Sequence, residues 1–176
     1  MFKYNKKIKY SDLDQEITSI SKNVEKLKLP GAFLEFIMYI LSELSANIKE
    51  HSKAKNIYIK INLNKNCLIE LTDDGIGFRK SYLSKEIYPK DDSAAIEFAI
   101  GGLSTKNLRG ERGFGLYSVK KLISKLKGEL IVKSGFTRAT INENQIFFKK
   151  LPKEIHGVTI ILMSKVKNFD FYGAVE

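Results

Sequence analysis

The sequence predicts an α/β two-layer sandwich, a mostly antiparallel sheet with helices packed on one face. Two observations lead there. Ile57, Ile59, Ile61 and Leu63 alternate with polar residues, and residues 67–72 follow after a turn at 64–66, too soon for anything but an antiparallel partner. Apolar residues also recur at helical spacing in three stretches, before this hairpin and after it.

Residues 7–10 form a short first strand. Ser11 then reads as an N-cap, with Asp14 three residues later in the capping-box position. Leu13, Ile17, Ile20, Val24 and Leu27 stripe the helix that follows, and Pro30-Gly31 ends it. A longer helix covers residues 31–52, with Phe33, Phe36, Ile37, Ile40, Leu41, Leu44 and Ile48 on a wide apolar face. Next come the two strands. Residues 78–113 read as irregular, apart from a short helix over 93–100. A helix over 114–126 carries Leu116, Val119, Ile123 and Leu126 on one face, with Gly128 as its C′ stop. Residues 129–133, an interrupted run 137–149, and 158–163 supply the remaining strands. Residues 1–30 are expected as an N-terminal strand and helix appendage, 31–166 as the ligand-binding domain and 167–176 as a tail.

The 176 residues suffice for one well-filled core. The longest apolar stretch, residues 33–44, is interrupted by Glu35 and Glu43 and is too short to span a bilayer. The first residues lead into no signal-peptide apolar region. One cysteine, Cys67, excludes an internal disulfide and fits a cytoplasmic setting, while one Cys and two His make a zinc site improbable. The net charge of +10 comes from lysines scattered along the chain, which reads as a solvated surface rather than a nucleic-acid groove.

Three segments carry candidate chemistry. Glu43 and Asn47 lie four apart and share a helix face, with His51 one turn on. Alone, such a pair is ordinary helix surface. Asp73-Asp74-Gly75-Ile76-Gly77 follows a strand; its glycines allow close backbone approach, and a carboxylate there can accept from an exocyclic amine. Asp-Gly is equally a common turn signal. Gly110-Glu111-Arg112-Gly113-Phe114-Gly115-Leu116 precedes a helix, where free backbone N–H groups and the dipole suit phosphate. It lacks the Gly-Lys-Ser/Thr ending of a P-loop and follows no strand of a Rossmann unit.

The ordered combination over residues 31–165 resembles the GHKL ATPase superfamily of gyrase, ninety-kilodalton heat-shock chaperones, histidine kinases and mismatch-repair ATPases. The resemblance implies the Bergerat ATP-binding fold, with ATP and Mg²⁺ as ligands. It implies that Asn47 coordinates the metal, that Glu43 is the catalytic base, and that Asp73 takes the adenine amine, with Gly75 and Gly77 admitting the ring. Gly110, Arg112, Gly113, Phe114, Gly115 and Leu116 would lie along the phosphates. Ser104-Thr105-Lys106 is similar to the segment through which some members bring a lysine to the terminal phosphate, and Arg109 could add charge. Two departures stand out: Val158 replaces the threonine many members hold near adenine, putting Thr159 out of phase, and Glu50 stands where kinases often have Lys or Arg.

A histidine kinase of the sensor type needs a phosphoacceptor on a helical hairpin before this domain. The two histidines, His51 and His156, lie elsewhere. The expectation is therefore a stand-alone module most similar to anti-sigma-factor serine kinases, hydrolysing ATP or phosphorylating a partner protein. An ATP-gated binding switch is the alternative, and a nucleic-acid-associated ATPase a weaker one. A homodimer is admitted; a membrane partner is not.

Overall fold

A computed structural model of the chain describes residues 1–103, 115–143 and 145–175. Among these, five strands form one antiparallel sheet in the order β1-β2-β3-β5-β4. They are β1 (Phe2–Lys9), β2 (Asn56–Leu63), β3 (Asn66–Asp73), β4 (Glu129–Ile141) and β5 (Ile146–Lys165). The principal helices are α1 (Leu13–Val24), α2 (Phe33–Asn47), α3 (Gly77–Leu83), α4 (Asp92–Gly101) and α5 (Gly115–Lys125), followed by a single turn, α6 (Tyr172–Val175).

The period-2 pattern of β2 and β3 positions the sheet. Ile57, Ile59, Ile61 and Leu63 pair in register with Asp73, Leu71, Ile69 and Cys67, and all eight side chains are buried on one face. Against that face lies α2, whose Phe33, Phe36, Ile37, Ile40, Leu41 and Leu44 are fully buried. Each such side chain contributes about 1.5–3 kcal/mol on removal from water. The first thirty residues join the same core: β1 pairs with β2 over its whole length, and Ile8, Leu13, Ile20 and Val24 are buried. The final residues join it too. The Phe169 ring meets Phe36 edge-on at 5.9 Å, and Phe171 packs on Tyr39 at 5.6 Å.

Several local expectations are corrected. The first strand starts at Phe2 rather than Lys7. Ser11 and Asp14 form no capping box; Ser11 Oγ donates to Asp12 Oδ1 at 2.8 Å, and Asp14 pairs with Lys49 instead. The long helix stops being α-helical at Asn47 and continues as a π-helical turn, Ile48–Ser52, closed by Lys53 at φ 52°. The region after the glycine turn contains α3, whose sequence has no apolar period and whose Tyr82 is held by tertiary packing. The interruption in the run 137–149 is a hairpin turn, where Asn142 N–H donates to Gln145 O and Gln145 N–H to Asn142 Oδ1, both at 3.1 Å.

The end of α5 departs from expectation by one residue. Lys127, at φ 54°, takes the left-handed position. Its N–H donates to Ser124 O, and Gly128 N–H to Ile123 O, both at 2.9 Å, as in a Schellman motif. Gly128 is needed for a different reason: a Cβ there would meet the Met163 carbonyl oxygen at 2.5 Å. Urea denaturation should therefore separate the two positions. Gly128→Ala is expected to lose about 1–3 kcal/mol through forced backbone displacement. Lys127→Gly is expected to gain up to about 1 kcal/mol by relieving the left-handed lysine. Midpoints moving in the same direction would contradict this account of the helix end.

Candidate nucleotide site

The site is built where β3 ends. Asp73 closes the strand, and the chain turns through Asp74, Gly75 and Ile76 into α3. Three backbone approaches fix this turn. Ile76 N–H donates to Ser52 O at 2.8 Å, which the π-helical turn delivers. Gly75 lies so close that a Cβ would overlap that same Ser52 carbonyl. On the other side Gly157, at φ +76°, leaves no room for a Cβ beside the Asp73 carbonyl.

An irregularity in the β4–β5 ladder beside Ser134 and Gly135, where His156 and Gly157 of β5 are left without partners on β4, completes the frame. The buried Ser134 hydroxyl accepts from Phe78 N–H and donates to Gly157 O, both at 3.1 Å. A Cβ at Gly77, at φ +75°, would meet Ser134 Oγ at 2.8 Å. What crowds both motif glycines is thus protein. Asp74 turns outward, where its Oδ1 accepts from Lys55 N–H at 2.8 Å and Asn56 N–H at 2.9 Å, and its Oδ2 from Asn56 Nδ2 at 2.7 Å. Burial opposes its charge, but these hydrogen bonds prevail and hold the carboxyl below the usual range.

Between this frame and α2 lies a narrow pocket, partly open to solvent. Leu44, Ile48, Leu71, Phe78, Val158 and Ile160 supply its apolar walls. Asn47, His51, Ser52, Ser81 and Asp73 add polar groups, and Asp73 is the one carboxylate among the described lining residues. Asp73 is 4% exposed. Desolvation pushes its pKa up from 3.8 to about 6, although backbone N–H groups of Gly75 and Val158 favour the charged form. The Gly75 bond to Oδ1 is 2.9 Å. A narrow apolar slot with one buried acceptor at its base suits a flat heteroaromatic ring carrying an exocyclic N–H donor.

The structure brings together Asn47, Asp73 and Gly77 from the sequence-predicted set. Gly75 lies in the turn against Ser52, and Gly115 lies against Asn47, with its Cβ position 3.4 Å from Asn47 Oδ1. Leu116 is in the hydrophobic core, 4% exposed. Glu43 lies one turn before Asn47 on α2, outside the pocket lining, and acts electrostatically on Tyr39. Lys106, Gly110, Arg112, Gly113 and Phe114 fall outside the described residues, as do Ser104, Thr105 and Arg109. Thr159 points away from the pocket and bonds Thr72 at 3.0 Å, while Val158 lines it. Sequence reasoning missed Ser134 and Ser81, which carry no local signal, whereas Gly157 stands out as the glycine of Gly157-Val158-Thr159, where many family members carry Gly-Thr.

Fold and pocket together define an α/β two-layer sandwich with an apolar slot that holds one buried carboxylate. The chain belongs to the family of histidine kinase-, DNA gyrase B- and HSP90-like ATPases, whose profile matches residues 34–155. It is similar to the sensor protein BceS of Halalkalibacterium halodurans, 28% identical over 144 residues, which cover 81% of this chain and 36% of that protein. The chain thus spans little more than a third of the length of that relative. No helix among the described residues is long and apolar enough to cross a membrane.

Folding favours the protonated Asp73, so its contribution to stability is full below 3.8 and is lost as pH rises through about 6. Ligand binding should run the opposite way, because the ionised carboxylate is the stronger acceptor. Adenosine, which carries no titrating phosphate, is expected to bind roughly tenfold more tightly at pH 7 than at pH 5. Asp73→Asn should abolish that dependence. A flat calorimetric profile for the unsubstituted protein would remove Asp73 from ring recognition.

Proposed function

We propose that this protein binds ATP with Mg²⁺ and hydrolyses it, or transfers its terminal phosphoryl group to a Ser or Thr of a separate partner protein in the cytoplasm. One observation carries the reading: the buried Asp73 carboxylate sits at the base of an apolar slot whose rim holds Asn47 against the start of α5. Adenine would enter the slot with its amine toward Asp73, and the phosphates would then lie near Asn47 and the α5 N-terminus, where the dipole favours anions.

The donor set suits Mg²⁺. Among the described residues no cluster of three or more His, Cys, Asp or Glu forms a cage. A single amide oxygen, from Asn47, would suit an ion that keeps most of its waters. When bound, Mg²⁺ supplies neutralisation of phosphate charge. Asn47 orients the phosphates. Glu43, half-exposed one turn away, would accept a proton from the attacking water or hydroxyl.

A second reading rests on Glu43 as well. It lies outside the pocket lining and bears on Tyr39, which favours an ATP-gated switch in which nucleotide alters a partner surface without turnover.

Two measurements bear on these readings. Asp73→Asn should weaken binding of a non-hydrolysable ATP analogue about ten- to a hundredfold, the value of a charge-assisted hydrogen bond; equal affinities would sink the pocket assignment. Glu43→Ala should keep that affinity and lose turnover about a hundredfold or more, whereas Asn47→Ala should lose Mg²⁺-dependent binding. Equal turnover by wild type and Glu43→Ala would end the role of Glu43 as base. Binding without turnover in either, with partner present, would leave the switch.

A further inference from the structure

The far half of the β4–β5 hairpin has no role in the nucleotide site, yet its surface is unusual. β5 pairs with β3 no further toward its start than Thr159, opposite Thr72. Residues 146–150 pair only with β4 among the described residues, so their other backbone edge is open. On this strand Ile146, Phe147 and Phe148 are 42%, 54% and 36% exposed. Successive residues face opposite sides, so large apolar groups stand exposed on both faces of one outer strand.

The same arms carry positive charges that meet no carboxylate among the described residues. Arg138 stands directly opposite Lys149 in the register, a like-charge cross-strand pair that destabilises a sheet. Arg138 Nε donates to Thr140 Oγ1 at 3.2 Å. No carboxylate pairs with Arg138, Lys149 or Lys150 among the described residues. Lys153 and Pro152 follow on the same strand.

We propose that residues 146–150 are a docking edge for an extended acidic segment of a partner protein, which adds a strand to the hairpin. Such a strand satisfies the open backbone edge, covers Phe147 on one face and Ile146 and Phe148 on the other, and brings carboxylates to Arg138 and Lys149. Other occupants fit less well. A second copy would bring Lys149 and Lys150 against like charges, the means by which lysine-bearing edges resist self-pairing. A single-stranded nucleic acid stacks on one face, whereas the exposed rings lie on two. A lipid surface would meet the polar Asn142, Glu143 and Gln145 of the turn first.

The test uses the isotope-labelled full chain and a short peptide alternating glutamate with valine. Controls are the same peptide with lysine for glutamate, the acidic peptide N-methylated at alternate residues, and oligouridine. Binding of the acidic peptide should shift and protect the amides of residues 146–150. Both control peptides should bind at least about tenfold more weakly. Arg138→Glu with Lys149→Glu should lose the acidic peptide by a similar factor, as should Phe147→Ser, with unchanged melting temperatures showing that each variant folds. The proposal is overturned if the acidic peptide does not bind, if its shifts lie elsewhere, or if the N-methylated or lysine peptide binds as well. It is equally overturned if oligouridine alone gives the shifts, or if sedimentation shows self-association that Phe147→Ser abolishes.

Discussion

The contact on which the site depends is a backbone clamp around a five-residue turn. Ser52 O holds Ile76 N–H from one side, and Gly157 presses on the Asp73 carbonyl from the other. Neither approach tolerates a Cβ, which is why glycines stand at 75 and 157. The clamp also explains the π-helical turn after Asn47. That turn brings the Ser52 carbonyl to the glycine loop, while Asn47 remains on the pocket wall. Its wider turn is a local concession of the kind found at functional positions in helices.

The clamp gives adjacent aspartates opposite chemistry. Asp73 is buried under the turn, where desolvation outweighs two backbone donors and raises its pKa to about 6. Asp74 faces solvent and receives three donors from residues 55 and 56, which keep it charged. One aspartate ties the turn to the start of β2, and the other is left with acceptor capacity inside an apolar pocket. The unfavourable burial of Asp73 persists because the backbone around it is over-determined, a pattern expected of binding sites more than of structural turns.

Much of this was legible in the sequence, and what failed did so for physical reasons. The alternation in β2 reports burial directly, so Ile57, Ile59, Ile61 and Leu63 all lie buried in one strand, Asn56–Leu63. The apolar faces of α1, α2 and α5 were equally plain. By contrast, α3 has no apolar period, because it is short and held by contacts distant in sequence. Ser11 and Asp14 carried a capping signature, but Asp14 instead pairs with Lys49. The Asp-x-Gly-x-Gly motif pointed to a ligand, and Asp73 lines a pocket. Its glycines, read as openings for a ring, are crowded by Ser52, Ser134 and Gly157, contacts between segments distant in sequence. Strand alternation in β5 did carry: it assigned Val158, not Thr159, to the pocket side.

The bulge in the β4–β5 ladder joins these regions mechanically. Ser134 bonds Phe78 in the pocket wall and Gly157 beside Asp73. Two residues on, Phe136 N–H donates to Asp92 Oδ2 at 2.8 Å, at the start of α4, whose first turn is capped by Asp91 Oδ1 accepting from Ala94 N–H at 2.9 Å. Gly135 sits so close to the Asp92 carboxylate that a Cβ would overlap it. The bulge therefore fixes three things at once: the wall beside the ring slot, the start of α4, and the direction in which the hairpin arms leave the sheet. Proximity of this kind transmits nothing by itself, because a ligand shifts an equilibrium only by its differential affinity for two states. It does locate where two states would have to differ. The pocket wall at Phe78 and the ladder at Gly157 meet at the Ser134 hydroxyl, and Phe136 ties the next residues of β4 to Asp92.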